Sequence, residues 1–193
     1  MRYEKGRKAA TKERILDVAS RRFRAEGVAA VGLTGIMSEA GLTNGGFYSH
    51  FESKEDLVRE TLVSALDGRE LSLRSLGQTE DALEQAVRGY LNAEHRDSPG
   101  LGCPSAALLA EIGRQPEKTR QAYTARLNVL IDLIADKLPN PDSTGSRATA
   151  TAMFGLMVGT LQLARAVSEP KSSDAILEAG VQGALILAKA PPR

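Results

Sequence analysis

Apolar positions recur every three to four residues along almost the whole chain, and no stretch alternates with period two. Ile15, Ala19 and Phe23 fall at i, i+4 and i+8 with Leu16 and Val18 beside them, and Gly27 ends the run. This predicts a first helix from Thr11, preceded by a flexible arm over Met1 to Ala10. A short second helix is expected over Leu33 to Ala40, with Gly32 at its cap and Gly35 weakening its first turn by up to about 1 kcal/mol relative to Ala. Gly41 supplies the φ > 0 position of a helix stop, Leu42 packs the turn, and Thr43 is placed to cap a third helix through its hydroxyl. There Phe47 and Phe51 at i, i+4 point inward, leaving Tyr48, Ser49 and His50 outside. The second and third form a helix-turn-helix braced by the first helix.

Ser53 followed by Asp56 resembles a capping box. Leu57, Val58, Leu62, Leu66 and Leu73 then carry a long helix to Gly77. Further helices are predicted over Thr79 to Glu94, Cys103-Pro104 to Gly113, Gln115-Pro116 to about Leu138, Ser146 to Val167, and Ser172 to Ala190. His95 to Gly102, with Pro99 and two glycines, and Pro139 to Ser143 read as loops. Gly155, Gly159, Gly180 and Gly183 suit close helix approach. The expected fold class is all-α: an N-terminal three-helix helix-turn-helix domain at 1–52, then a larger helical domain at 53–193.

Composition narrows the class. The 193 residues are 42% hydrophobic, enough for an ordinary core. No apolar run suffices to span a bilayer and no hydrophobic segment follows the charged start, so no membrane is expected and the localisation is read as cytoplasmic. One cysteine and two histidines give no disulfide framework and no expected metal site or cofactor. A net charge of +1 is uninformative, but residues 2 to 24 hold nine Lys and Arg against three acids. A basic end beside a helix-turn-helix is the footprint of phosphate contacts, although alone it would describe a solvated helix face.

Ala40-Gly41-Leu42-Thr43, Gly45-Gly46-Phe47-Tyr48-Ser49-His50-Phe51 and Ser53-Lys54-Glu55-Asp56-Leu57 resemble the DNA-binding segment of TetR-family repressors, over roughly Thr11 to Leu57. The resemblance implies double-stranded DNA as partner, with Thr43, Asn44, Gly45 and Tyr48 near bases or phosphates. Asn44 is the candidate for base readout, because an amide pairs bidentately with adenine. Tyr48, His50 and Lys54 are candidate phosphate anchors. The resemblance further implies effector binding and dimerisation in 53–193, with the helices at 146–167 and 172–190 pairing across a homodimer on a palindromic operator. Leu62, Leu66, Tyr90, Cys103, Leu108, Glu111, Tyr123, Leu127 and Met153 are then candidate lining for a small-molecule effector site. With aromatics at 4%, a modest apolar effector fits better than a large planar one.

Cys103 carries an alternative. At a helix N-terminus its thiolate is favoured, which suits a redox- or electrophile-sensing regulator, whereas most lone cysteines are small buried hydrophobes. No Ser-His-Asp context, phosphate-cradling glycine loop or paired histidines point to an enzyme. An interaction module without specific DNA binding is an outsider, opposed by the intact Thr43 to Lys54 segment.

Overall fold

The computed structural model describes residues 2–79, 81–141 and 145–189, and these form α-helices and 3₁₀ helices with no strand among them. The α-helices are α1 (Arg2–Glu26), α2 (Leu33–Glu39), α3 (Lys54–Ser75), α4 (Ala82–Tyr90), α5 (Ala93–Asp97), α6 (Pro104–Ile112), α7 (Glu117–Ala135), α8 (Ser146–Ala166) and α9 (Pro170–Lys189). Short 3₁₀ helices lie at Asn44–Ser49 and Pro99–Leu101.

Contacts group the chain into two compact units, one of residues 1–65 and 99–124, the other of 66–98 and 125–193. This differs from the linear division at 52/53. The first unit recruits a distant segment because α1 packs on α6 and on the 3₁₀ helix Pro99–Leu101 as well as on α2. Gly100 makes that packing possible: a Cβ there would lie 3.1 Å from the Arg21 carbonyl, and Arg24 Nε donates to the Gly100 carbonyl at 2.8 Å. Ile15, Ala19, Phe23, Val31, Ile36, Met37, Phe47 and Phe51 are all buried here, as the apolar pattern requires.

Several elements depart from expectation. The arm expected over Met1 to Ala10 is helical from Arg2, since Arg, Lys and Ala favour a helix and one Gly costs only about 1 kcal/mol. The third reading element is a 3₁₀ helix rather than an α-helix, because Gly45 and Gly46 deprive its start of helix propensity. The helix expected over Thr79 to Glu94 breaks at Leu91. Asn92 restarts it as α5, its side chain accepting the His95 N–H at 2.8 Å, while the His95 ring bonds the carbonyl of Tyr90, the last residue of α4, at 2.7 Å. His95 to Asp97, read as loop, therefore belong to a helix. Ala190, the expected end of the last helix, and Asp142 and Ser143 of the second loop lie outside the described residues.

In the second unit α8 packs along α9, α4 touches α9 and α5 touches α8. Arg96 of α5 bonds Asp174 and Ser173 at the start of α9, at 2.6 and 2.9 Å. A Cβ on Gly180 would lie 2.3 Å from Thr160 Cγ2, so the α8–α9 approach depends on that glycine. No described helix is long and apolar enough to cross a membrane.

Candidate nucleic-acid interface

Between α2 and the 3₁₀ helix the chain turns as the residue types dictate. Gly41 adopts φ +68, and the Gly41 and Leu42 N–H groups close on the Ser38 and Met37 carbonyls at 3.0 and 2.9 Å, the paired bonds of a Schellman stop. Thr43 is extended at the cap position of the 3₁₀ helix, but its side chain makes no capping bond. The hydroxyl expected to cap instead stands exposed, and the Thr43 carbonyl accepts the Gly46 N–H at 3.0 Å.

Phe47 and Phe51 are both buried, with ring centroids 5.5 Å apart, and anchor the element. Above them Asn44, Gly45, Tyr48 and Ser49 are exposed. Tyr48 is 72% exposed with its ring edge-on to Phe47 at 5.2 Å, so the ring meets the core residue while most of the side chain stays open to solvent. The Asn44 amide donates to Thr34 Oγ1 of α2 at 2.9 Å.

His50 is half-buried and lines a cleft of about 510 Å³ with Lys8, Ala9, Lys12 and Ser49. Its Nδ1 is buried without a hydrogen-bond partner among the described residues. Burial and the neighbouring Lys8 and Lys12 ammonium groups hold its pKa below the ordinary histidine value. Lys12 also bonds Glu60 of α3 at 2.6 Å and lies 5.1 Å from the Phe51 ring. Lys8 and Lys12 carry no motif of their own in the sequence. Their i, i+4 spacing brings them to one face only because α1 is helical from Arg2.

Lys54 is placed differently from the other candidates. Its ammonium donates to the Val28 carbonyl at 2.7 Å and lies 6.0 Å from the Phe23 ring, tying down the α1–α2 loop. Glu111 of α6 holds the same loop, accepting the Val28 and Ala29 N–H groups at 2.9 and 3.3 Å. Gly27, at φ +88, lets the loop pass this carboxylate, since an added Cβ would sit 2.9 Å from its oxygen. Lys54 and Glu111 thus face one cleft of about 550 Å³ that Arg114 and Glu55 also line.

The remaining effector candidates divide between the units. Leu62, Cys103, Leu108 and Tyr123 fall in the first, all buried, with the Tyr123 hydroxyl 3.0 Å from Ser105 Oγ. Leu66, Tyr90, Leu127 and Met153 fall in the second, where Tyr90 meets Phe154 and His95 edge-on and Leu127 alone is only half-buried. Cys103, at the N-cap of α6, is 1% exposed. No group of three or more His, Cys, Asp or Glu suited to a metal ion occurs among the described residues.

Residues 15–61 match the model of bacterial regulatory proteins of the tetR family. The chain is 32% identical over 121 residues, 63% of its length, to the HTH-type transcriptional regulator TtgR of Pseudomonas putida. That match covers 49% of the regulator, so the chain spans about half the length of this relative. Among solved structures, reduced NemR of E. coli superposes with a TM-score of 0.78 at 22% identity, covering 91% of this chain and 95% of that one. FadR of Bacillus subtilis, solved with stearoyl-CoA, has a TM-score of 0.66 at 16% identity over 89% of this chain and 98% of its own. Residues 15–61 thus carry the sequence of the tetR family of bacterial regulatory proteins, and the chain shares the fold of these solved structures.

Proposed function

We propose that this protein is a homodimeric, sequence-specific DNA-binding repressor, released from a palindromic operator by a small apolar ligand. The observation that carries the DNA reading is the exposed row of Asn44, Tyr48 and Ser49 over buried Phe47 and Phe51. A polar surface on a packed anchor, flanked by the cleft of Lys8, Lys12 and His50, suits base edges at its centre and phosphates at its margin. Tyr48, His50, Lys8 and Lys12 supply sequence-independent attraction, and Asn44 supplies readout.

The homodimer is supported by an outward stripe on α8: Ala148, Ala152, Gly155, Gly159, Leu163 and Ala166 are exposed at helical spacings of three or four, with Leu163 62% exposed. On α9 Ala175, Ala179 and Ile186 face solvent likewise. Two such helix pairs meeting about a two-fold axis form a four-helix interface. The ligand reading is supported by the acyl compound bound to FadR and by the burial of Tyr90 and Met153, with Phe154 edge-on to the Tyr90 ring. Ligand binding is taken to reorient α3, whose residues belong in turn to both units, and so to lower operator affinity.

The test is recovery of fragments from sheared DNA of the source organism by the purified full chain at about 0.15 M salt, followed by sequencing. An enriched inverted repeat with half-sites about one helical turn, roughly 34 to 36 Å, apart is the expected result. Uniform, salt-sensitive recovery would leave only electrostatic binding and defeat the proposal.

A further inference from the structure

The hydrogen bond between Asn44 and Thr34 joins the two halves of the reading element across its exposed surface. Thr34 is the second residue of α2, a helix fixed from below by Ile36 and Met37, both fully buried, and closed by the Gly41 turn. Asn44 is the first residue of the following 3₁₀ helix and projects from a glycine-rich start that gives its side chain no neighbours at Gly45. Left alone, its carboxamide would sample several rotamers. The Thr34 hydroxyl gives it one fixed partner on the more rigid helix.

The bond uses one of the two amide hydrogens, since Nδ2 donates to Thr34 Oγ1. Oδ1 and the second N–H remain, and these are the acceptor and donor that pair with the N6 amino group and N7 of adenine. An amide oriented before DNA arrives loses less side-chain freedom on binding. The gain falls only on the base pair that the amide reads.

We propose that Thr34 is a specificity-positioning residue, whose hydroxyl pre-orients the Asn44 carboxamide toward one base pair of the operator half-site. This rests on the DNA-binding reading above and adds to it the element that sets the direction of readout. Thr34→Val removes the hydroxyl while keeping the branched shape, so α2 keeps its backbone preferences. Thr34→Ser restores the hydroxyl.

The experiment selects sequences from a randomised duplex pool with the wild-type protein, Thr34→Val, Thr34→Ser, Asn44→Ala and the double variant Thr34→Val/Asn44→Ala. Affinities are then measured on the selected site, on its single-base variants and on random DNA. The expected result is a loss of about threefold to tenfold in discrimination at one base position for Thr34→Val, the scale of one exposed hydrogen bond. Asn44→Ala flattens that same position, the double variant loses no more than Asn44→Ala alone, and Thr34→Ser retains the preference. Affinity of Thr34→Val for random DNA is unchanged. Full discrimination by Thr34→Val at the position Asn44→Ala flattens would overturn the inference while leaving the regulator reading intact. An equal loss by Thr34→Val on selected and random DNA would also overturn it, making Thr34 a phosphate contact. A wild-type protein that selects no sequence would remove the DNA-specific reading and this inference together.

Discussion

Glu111→Ala tests whether a residue far along the sequence holds the reading head together. One oxygen of this carboxylate accepts both the Val28 and Ala29 N–H groups, at 2.9 and 3.3 Å, across 83 and 82 residues of chain. Hydrogen bonds to a charged group contribute about 1.5 to 3 kcal/mol each. Ala29 is exposed, so water replaces its partner, whereas half-buried Val28 loses most of its share. The net cost is therefore about 1.5 to 3 kcal/mol. At about 2 to 4 °C per kcal/mol for a chain of this size, the melting midpoint falls by roughly 3 to 12 °C. Thermal unfolding followed by far-UV circular dichroism measures it, with amide exchange at Val28 as the local readout. Glu111→Gln, which keeps one carbonyl acceptor, loses about half as much. A midpoint for Glu111→Ala within about 1 °C of the parent, with the Val28 amide still protected, would refute the clamp.

Gly180→Ala should destabilise the protein by about 1 to 3 kcal/mol in chemical denaturation, because the added carbon meets Thr160 at 2.3 Å. Gly159→Arg, built into open space, should leave helix content and protomer folding intact while halving the mass seen in sedimentation; an undiminished dimer would remove α8 from the interface. Burial holds the His95 pKa down at about 4, with Arg69 and Arg165 adding to it and the Tyr90 carbonyl opposing. The unfolded chain then binds a proton that the native state refuses between pH 6.5 and about 4, so stability is full above 6.5 and is lost as pH falls. Denaturant unfolding at pH 7 and 4.5 should show about 2 to 3 kcal/mol more acid loss for the wild type than for His95→Gln; equal losses would reject the assignment.

The reading head was legible wherever one residue's own chemistry decided the outcome. Phe47 and Phe51 had to be buried, Gly41 had to turn, and Cys103-Pro104 had to open a helix, because period, positive φ and a missing N–H are properties of single positions. What escaped were partnerships. Lys54 has the spacing of a phosphate anchor, yet its ammonium goes to the Val28 carbonyl, and nothing local to residue 54 announces a loop 26 residues earlier. Thr34 and Asn44 each favour exposed polar positions, and only the turn between them brings the hydroxyl to the amide. The division into units escaped for the same reason: Gly100 resembles a loop breaker until the Arg21 carbonyl is seen 3.1 Å from where its Cβ would stand.

The glycines of the last two helices make the distinction sharpest. Gly155, Gly159, Gly180 and Gly183 look equivalent in the sequence, each a small residue in an apolar helix. Gly180 and Gly183 face α8, where added carbons would meet Thr160 and Leu156 at 2.3 and 3.3 Å, so their smallness is used within the protomer. A Cβ added at Gly155 or Gly159 would meet nothing within 4 Å outside the helix's own nearby backbone, and both are exposed. Each glycine in a helix interior costs about 1 kcal/mol relative to Ala, and inside the protomer these two return nothing for it. A second helix pair seated on that face would use the space they leave, as α9 uses Gly180. The same residue type thus closes the α8–α9 pair from within and, on the proposed dimer, admits the partner from without, which is why substitutions at positions 159 and 180 separate assembly from folding.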